Sequence, residues 1–447
     1  MKSTLPLDNS KGMALRSKGA IAALVGPLGL FSLAAAAPPA DSPFDASPSH
    51  RYGQVRTRTE YNSKNMADTS ANKAALSTGL RTRLGFSTNP SENVQLKVEL
   101  QDSRNFGSEP RGATSPASAS VGNSKGVDLL QGYFAITQGD FQLALGRQKM
   151  SLGSGRFLST LEWHPVSRAF DGVSFNWGFE PGNLTGFFYT VADDSPAAIK
   201  DAAAVGGLYY SHSIKPGVTA DVFGFYDMSR LPSTYAGDVA LNYDLVYFGE
   251  RFAGKFGMFN FEEEFIWQGG EMATATGDMT NAAFQFGLRA GATIGTSNIT
   301  LGLDGMSGDD KATDDEIHTY RANYFFGHAY FGWMDYFLNN PKSGVMDYRI
   351  DASIPFLPNA AGKPTMVFKP AYHFFTPQAA PSGMDDPYGQ EIDAELHITY
   401  FPKSNIVLGA GVFIAGDGAI NMPGSGLTAG KDDKPGLFLY FMPIFNF

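Results

Sequence analysis

Five cations stand at alternate positions near the start of the chain. Arg56 and Arg58 flank a threonine, Arg81 and Arg83 flank another, and Lys97 precedes Glu99 and Gln101 by the same two-residue step. Successive side chains of an extended strand point to opposite faces. Arg56, Arg58 and Glu60 therefore share one face, with Val55, Thr57 and Thr59 on the other. Folding each hairpin about the centre of its loop predicts two rows across neighbouring strands, Arg56–Arg83–Lys97 and Arg58–Arg81–Glu99. Directly opposed like charges destabilise a strand pair by roughly 0.2–1 kcal/mol. Such rows call for water, acidic partners or an anionic solute. Arg147 is expected to project from the polar side of its strand close by. Asp393, Glu395 and His397 alternate with Ile392, Ala394, Leu396 and Ile398 and supply an acidic counterpart. Two readings stay open: the arginines select anions, or they brace the structure against acids of inward-folded loops, with Glu162 and Asp171 as candidate partners. Arginine suits both, because its planar fork grips carboxylates in bidentate fashion and stays charged.

Other residue types narrow the chemistry further. Trp163, Trp333, Tyr330, Phe331 and Tyr336 lie in long irregular stretches, where aromatic faces either hold sugar rings or simply pack. His328 and Asp335 could be metal ligands or a catalytic pair, but no further His or carboxylate stands at supporting spacing. The chain has no cysteine, which excludes disulfides, thiolate metal sites and thiol nucleophiles. Acidic pairs such as Asp193 with Asp194 and Asp309 with Asp310 lack the spacing of a calcium loop. Neither a phosphate-binding loop nor a Ser/His constellation is present, so neither a cofactor nor an enzymatic activity is expected. The formal charge is −10. Removing residues 1–36 leaves 30 basic and 43 acidic residues, near −13, which argues against nucleic acid as a partner.

The elements that would position these groups are strands. In 141–148, Phe141, Leu143 and Leu145 alternate with Gln142, Ala144 and Gly146. In 171–179, Val173, Phe175, Trp177 and Phe179 form one face. A strand apolar on one side and polar or small on the other, repeated down a long chain, marks a transmembrane β-barrel with lipid outside and a water-filled lumen inside. Residues 1–36 read as a secretory signal: basic up to Lys18, apolar over 20–37, with small residues placing the cut after Ala36. Residues 37–50 would form a short periplasmic segment and 51–447 the barrel. No later stretch holds the ~18 continuous apolar residues of a spanning helix.

Eighteen antiparallel strands are expected, with short periplasmic turns such as 88–92, 138–139, 180–182, 215–217, 295–296 and 402–404. These alternate with long extracellular loops such as 105–125, 150–169, 269–280 and 416–435. Both termini on the short-turn side require an even count. That holds if 306–343 is one long loop, while a hairpin inside it would make twenty. Leu439, Phe441, Pro443, Phe445 and Phe447 alternate to the end, the pattern that barrel-assembly machinery reads.

The sequence around Gly146, Arg147 and Gln148, the loop carrying Gly153, Gly155 and Arg156, Trp163, and the run Arg168, Ala169, Phe170, Asp171 and Gly172 resemble the alginate-export family of outer-membrane channels. So do Phe326, Gly327, His328, Gly332, Trp333 and Asp335, and the N-terminal Arg56, Arg58, Arg81 and Arg83. The resemblance covers essentially the whole mature chain. It implies a monomeric eighteen-stranded barrel in the outer membrane of a Gram-negative bacterium, and it places 326–335 in a loop. The namesake exports an acidic polysaccharide and other members carry other solutes. The expected function is passive, selective passage of polar, anionic solutes such as acidic oligosaccharides. The alternatives are an adhesin-like or structural barrel and, behind it, a barrel hydrolase. Expected partners are the lipid bilayer, lipopolysaccharide, the assembly machinery at Phe447, and the solute.

Overall fold

The computed structural model describes residues 50–63, 75–106, 126–193, 202–231, 233–235, 238–274, 277–311, 315–359, 364–380, 383, 386–421 and 435–447. The expected signal and periplasmic segments lie outside them.

Eighteen long strands form the wall. The first nine are β1 (His50–Asn62), β2 (Ala75–Ser91), β3 (Val94–Asn105), β4 (Asp128–Gln138), β5 (Phe141–Gln148), β6 (Phe170–Phe179), β7 (Gly182–Asp193), β8 (Ala202–Lys215) and β9 (Val218–Ser229). The others are β10 (Asp238–Phe256), β11 (Phe259–Thr274), β12 (Gly277–Ile294), β13 (Ser297–Met306), β14 (Val345–Pro358), β15 (Pro364–Thr376), β16 (Gly389–Phe401), β17 (Ser404–Ala415) and β18 (Gly436–Asn446). Each pairs antiparallel with its neighbours in sequence, and β1 pairs with β18, which closes the barrel. Two short pieces, Ser233–Tyr235 and Glu316–Ile317, add to the rims of β10 and β12.

Closure depends on a glycine. The backbones of Gly53 and Phe447 exchange hydrogen bonds of 2.8 and 3.0 Å. A Cβ on Gly53 would stand 2.3 Å from the Phe447 ring. The outward positions are apolar and exposed, among them Leu84, Phe86, Leu96, Val98, Phe134, Leu145, Trp177, Leu208, Val222 and Phe248. In a bilayer this band faces lipid, and the closed ladder leaves no unpaired edge.

Three features depart from the expected layout. Strand β2 runs through Pro90 to Ser91, so the turn is only Glu92 and Asn93. Residues 269–280, expected as a long loop, are mostly strand: β11 and β12 pair out to Thr274 and Gly277. Met272 still points inward and is buried there, while Glu271 is exposed. The outward face turns polar at that height, which made the extension read as loop. Third, much of the interior is dry. Phe187, Tyr189, Val205, Phe223, Phe225, Tyr243 and Tyr247 point inward and are buried against Phe157, Tyr324 and Phe331 of two inward loops. Those loops, 149–169 and 307–344, fill much of the space that the sequence pattern assigned to water. Among its described residues, the segment 307–344 holds no long strand, only the two-residue piece and a 3-10 turn at Gly327–Ala329.

Candidate functional site

The cations on β1 and β2 face inward as the alternation requires, but their register differs from the expected rows. Arg56 pairs with Arg81, Gln54 with Arg83, and Arg58 with Gly79. On the next ladder Arg83 meets Gln101 and Arg81 meets Ser103. Glu99 meets Gly85 and Lys97 meets Ser87. The late turn at Glu92 and Asn93 slides β3 by four residues, an even number that preserves the faces and changes the partners. Lys97 and Glu99 therefore sit nearer the short-turn end. There Tyr52 donates to Glu99 at 3.0 Å, Gln131 donates to it at 2.6 Å, and the Lys97 ammonium lies 5.8 Å from the Tyr52 ring centre.

Loop 149–169 folds onto the arginines. Arg56 donates to the carbonyls of Glu162, Trp163 and His164 at 2.7, 3.2 and 3.0 Å. Arg81 donates to the carbonyls of Glu162 and His164 and doubly to the Gln54 amide oxygen. Arg83 reaches Gln101 and the Glu162 carboxylate, both at 2.8 Å, and donates to Ser167. Arg58 donates to the Trp163 carbonyl at 2.7 Å and pairs with Glu60 at 2.5 Å. The Glu162 carboxylate also takes Lys149 at 2.9 Å and Arg81 at 3.4 Å. Burial pushes its pKa up, but Lys149, Arg83 and Arg81 together hold it well below the usual carboxylate range. Burial lowers that of His164, and Arg58 and Arg56 add to the effect.

These contacts leave the charges unbalanced. Arg56, Arg58, Arg81, Arg83 and Lys149 face two carboxylates, Glu60 and Glu162. Neutral carbonyls satisfy the remaining donors without cancelling charge. The cluster retains a net charge of about three positive units at neutral pH.

The aromatic residues link the two loops. The Arg58 guanidinium lies 4.1 Å from the Trp163 ring centre, and Trp163 stacks on His328 at 3.7 Å and 3°. His328 Nδ1 contacts Asp335 at 3.0 Å. Arg168 bonds the carbonyls of Ser159 and Tyr324, and burial brings its pKa down to about 10. Phe326 N–H donates to the Gly155 carbonyl at 2.9 Å, and Tyr330 O–H to the Ser154 carbonyl at 2.6 Å.

The acids of β16 face inward as expected. Glu395 contacts His397 at 2.7 Å and accepts from Tyr440. Asp393 is buried, and His373 Nε2 stands 3.8 Å from its carboxylate. The strands β17 and β18 alone separate this acidic wall from β1. Among the described residues, no group of three or more His, Asp or Glu is arranged to hold a metal ion.

Arg147 departs from its expected place. It has the parity of Phe141 and Leu145 and lies on the outer face, where it pairs with Asp171 at 2.5 Å. The inward neighbours are Gln148 and Ser174, both buried. Asp171 is thus a partner of Arg147 and not of the basic cluster. Gly172 brings β6 so close to β7 that a Cβ would lie 2.2 Å from the Phe188 carbonyl oxygen.

A second charged centre escaped the sequence reading. Arg156, 1 % exposed, is held by Asp304, by Glu262 at 3.1 Å and by Glu264 at 3.5 Å, with Tyr330 over its guanidinium. Arg251 joins Asp221 at 3.0 Å to Glu262 at 2.8 Å, and Arg289 reaches Asp304 at 3.3 Å. The signal was available, since Glu262, Glu264, Arg251, Arg289 and Asp304 all occupy inward parity. Glu391, which accepts the Met334 N–H at 2.8 Å, was also missed although it shares a face with Asp393.

The family model described as alginate export matches residues 51–340. No curated protein matches at a significant level. Among solved structures, a BenF-like porin from Pseudomonas fluorescens Pf-5 is 13% identical, with a TM-score of 0.59, covering 89% of this chain and 98% of that one. Pseudomonas aeruginosa OccK2 (OpdF) in complex with glucuronate is 14% identical, with a TM-score of 0.58 and coverage of 89% and 97%. Acinetobacter baumannii OccAB1 is 11% identical, with a TM-score of 0.59 and coverage of 89% and 96%.

Proposed function

Since the chain belongs to the alginate export family and is an outer-membrane β-barrel channel, we propose that it passes small polar solutes passively and prefers anions. The observation that carries this is the charge imbalance around loop 149–169. Carbonyl oxygens fix the guanidinium groups geometrically and leave about three positive charges beside the route. Bracing and selection are then the same device. The loop holds the cations in place, and their field acts on whatever passes. A solute bearing one carboxylate and several hydroxyls, the class of the glucuronate in the OccK2 complex, suits such a field. Export and import are both passive here.

The proposal includes a monomer in contact with lipid and lipopolysaccharide, delivered by residues 1–36 and assembled through the strand ending at Phe447. N-terminal sequencing of the mature protein should begin at Ala37. The main test is the reversal potential of single channels in a KCl gradient, comparing the parent with Arg58→Ser/Arg81→Ser/Arg83→Ser. Anion selectivity should collapse in the variant. Cation selectivity in the parent, or indifference to the substitutions, refutes the anion preference.

A further inference from the structure

Loop 149–169 has two faces. One covers the arginines. The other fronts a cavity of about 410 Å³, bounded on its far side by β8, β9 and β10. Ser211, Thr219, Asp221 and Arg251 line it from the wall, and Thr160 and Glu162 from the loop. The guanidinium donors of Arg56, Arg81 and Arg83 are turned to the loop's own carbonyls, to Gln54, Gln101 and Ser167, and to the Glu162 carboxylate. All three side chains are about 5 % exposed or less. A passing molecule therefore does not touch them.

We propose that solutes pass on the β8–β10 side of this loop, and that the cavity is a binding site for the hydroxyl-rich body of the solute, whatever its net charge. The inference rests on the reading of the barrel as a channel for polar solutes.

Three properties of the lining lead there. First, hydroxyl side chains enter it from both sides. Each offers a donor and an acceptor, the match for a polyol and a poor match for an apolar or purely ionic ligand. Second, its charged floor is a preset pair. Arg251 bonds Asp221 at 3.0 Å and Glu262 at 2.8 Å, and Tyr209 O–H donates to Asp221 at 2.7 Å. Of these charged groups, Arg251 and Asp221 line the cavity; their charges cancel, and they still present directional groups to vicinal hydroxyls. Third, Phe326 from the second loop supplies an aromatic face. The volume falls within the range of small-molecule sites, roughly 300–1,000 Å³.

The geometry of the site depends on Gly153. Its φ is 54°, and a Cβ there would stand 2.7 Å from the Tyr209 hydroxyl. Glu162, whose side chain is 37% exposed, is the group through which the basic cluster meets the cavity. It is the specificity-determining residue of this arrangement, placing one carboxylate between the solute and the net positive cluster.

The chain lacks cysteine, so single thiols can be placed in full-length protein without background. Folding of the Ser211→Cys and Thr219→Cys proteins is checked by the heat-modified shift on gels, and each variant's own conductance before treatment is its baseline. A cationic methanethiosulfonate reagent should then reduce the single-channel conductance of each to well under half, with no effect on the parent. Failure to label, or complete labelling by mass spectrometry without loss of current, overturns the route. Current block by glucose and by glucuronate tests the ligand class. Both should block, and Thr219→Val should weaken both blocks several-fold. Block by glucuronate alone, indifferent to Thr219→Val, refutes the hydroxyl site and leaves the anion channel standing. Loss of anion selectivity in the KCl test, with thiol block intact, removes the charge reading and leaves the route.

Discussion

Replacing Glu162 by Gln removes one negative charge and little volume. The backbone carbonyl of residue 162, which holds Arg56 at 2.7 Å and Arg81 at 3.1 Å, is unchanged. Arg83 binds Oε2 at 2.8 Å and Lys149 binds Oε1 at 2.9 Å, so glutamine keeps one of these contacts through its neutral amide oxygen and loses the other, where its NH2 meets a cation. The net charge of the cluster rises by one unit. For an ion passing at about 7 Å through water, one unit charge is worth about 0.6 kcal/mol, and screening near 0.1 M salt halves it. An anion gains that amount and a cation loses it. The chloride-to-potassium permeability ratio should therefore rise about threefold. The assay is the reversal potential in a steep KCl gradient, with the heat-modified shift on gels as the folding control. Unchanged selectivity would mean that the cluster lies electrically outside the route. A shift toward cations would mean that loss of the latch, and not the charge, dominates.

Three other outcomes follow from the packing and titration of the same loops. Gly287→Ala should cost about 1–3 kcal/mol in urea unfolding from detergent, because a Cβ there would stand 2.1 Å from the Arg156 guanidinium, which its acidic partners hold in place; full stability would show that the centre can shift. Phe157→Ala should cost about 3–5 kcal/mol in the same assay, since Phe157 is buried and stacks on Phe225 at 4.2 Å; a loss below about 1 kcal/mol would mean that the loop is not packed into the barrel. His164 resists protonation when docked, so its contribution to docking is full above the ordinary imidazole value of 6.5 and is lost as pH falls below it. That of Glu162 is full above 4.5 and is lost only as pH falls through its lower docked value. Channel noise from loop opening should therefore increase on going from pH 7 to pH 5, and His164→Asn should remove that dependence; an equal rise in the variant would assign it to another group.

The wall was legible because a lipid-facing strand is written in single residues. Leu96, Val98 and Leu100 against Gln95, Lys97 and Glu99 settle the faces of β3 without reference to anything distant. Register was less legible, since it depends on where a turn tightens. The run through Pro90 reads as turn by composition, but Pro90 falls in the register irregularity between Thr88 and Ser91, where proline breaks no ladder hydrogen bond, and β2 continues through it. The inward loops were hardest to see. Their partners are aromatic residues on the polar face, and Phe187, Phe188 and Tyr189 in sequence blur the alternation that marked strands elsewhere. Such a continuous apolar run signals a strand buried on both faces, which for this barrel means a strand with a loop packed inside it. The parity of Arg147 was readable from Phe141, Leu143 and Leu145 and was simply misassigned.

The choice of partners around the arginines carries a functional consequence. Had acids surrounded them, as Asp304, Glu262 and Glu264 surround Arg156, the wall would be rigid and would hold no positive field. Had nothing matched them, directly opposed Arg56 and Arg81 would repel across one ladder. Carbonyls of 162–164 solve both problems, because a dipole satisfies a guanidinium donor at 2.7–3.2 Å and leaves the monopole intact. The field reaches about a Debye length, ~10 Å at 0.1 M salt, which exceeds the thickness of an extended loop. A cation behind such a loop can thus bias which ions enter a cavity that it never touches. Selection by field and contact by hydroxyls then belong to opposite faces of the same segment, and substitutions on one face should leave the other property largely intact.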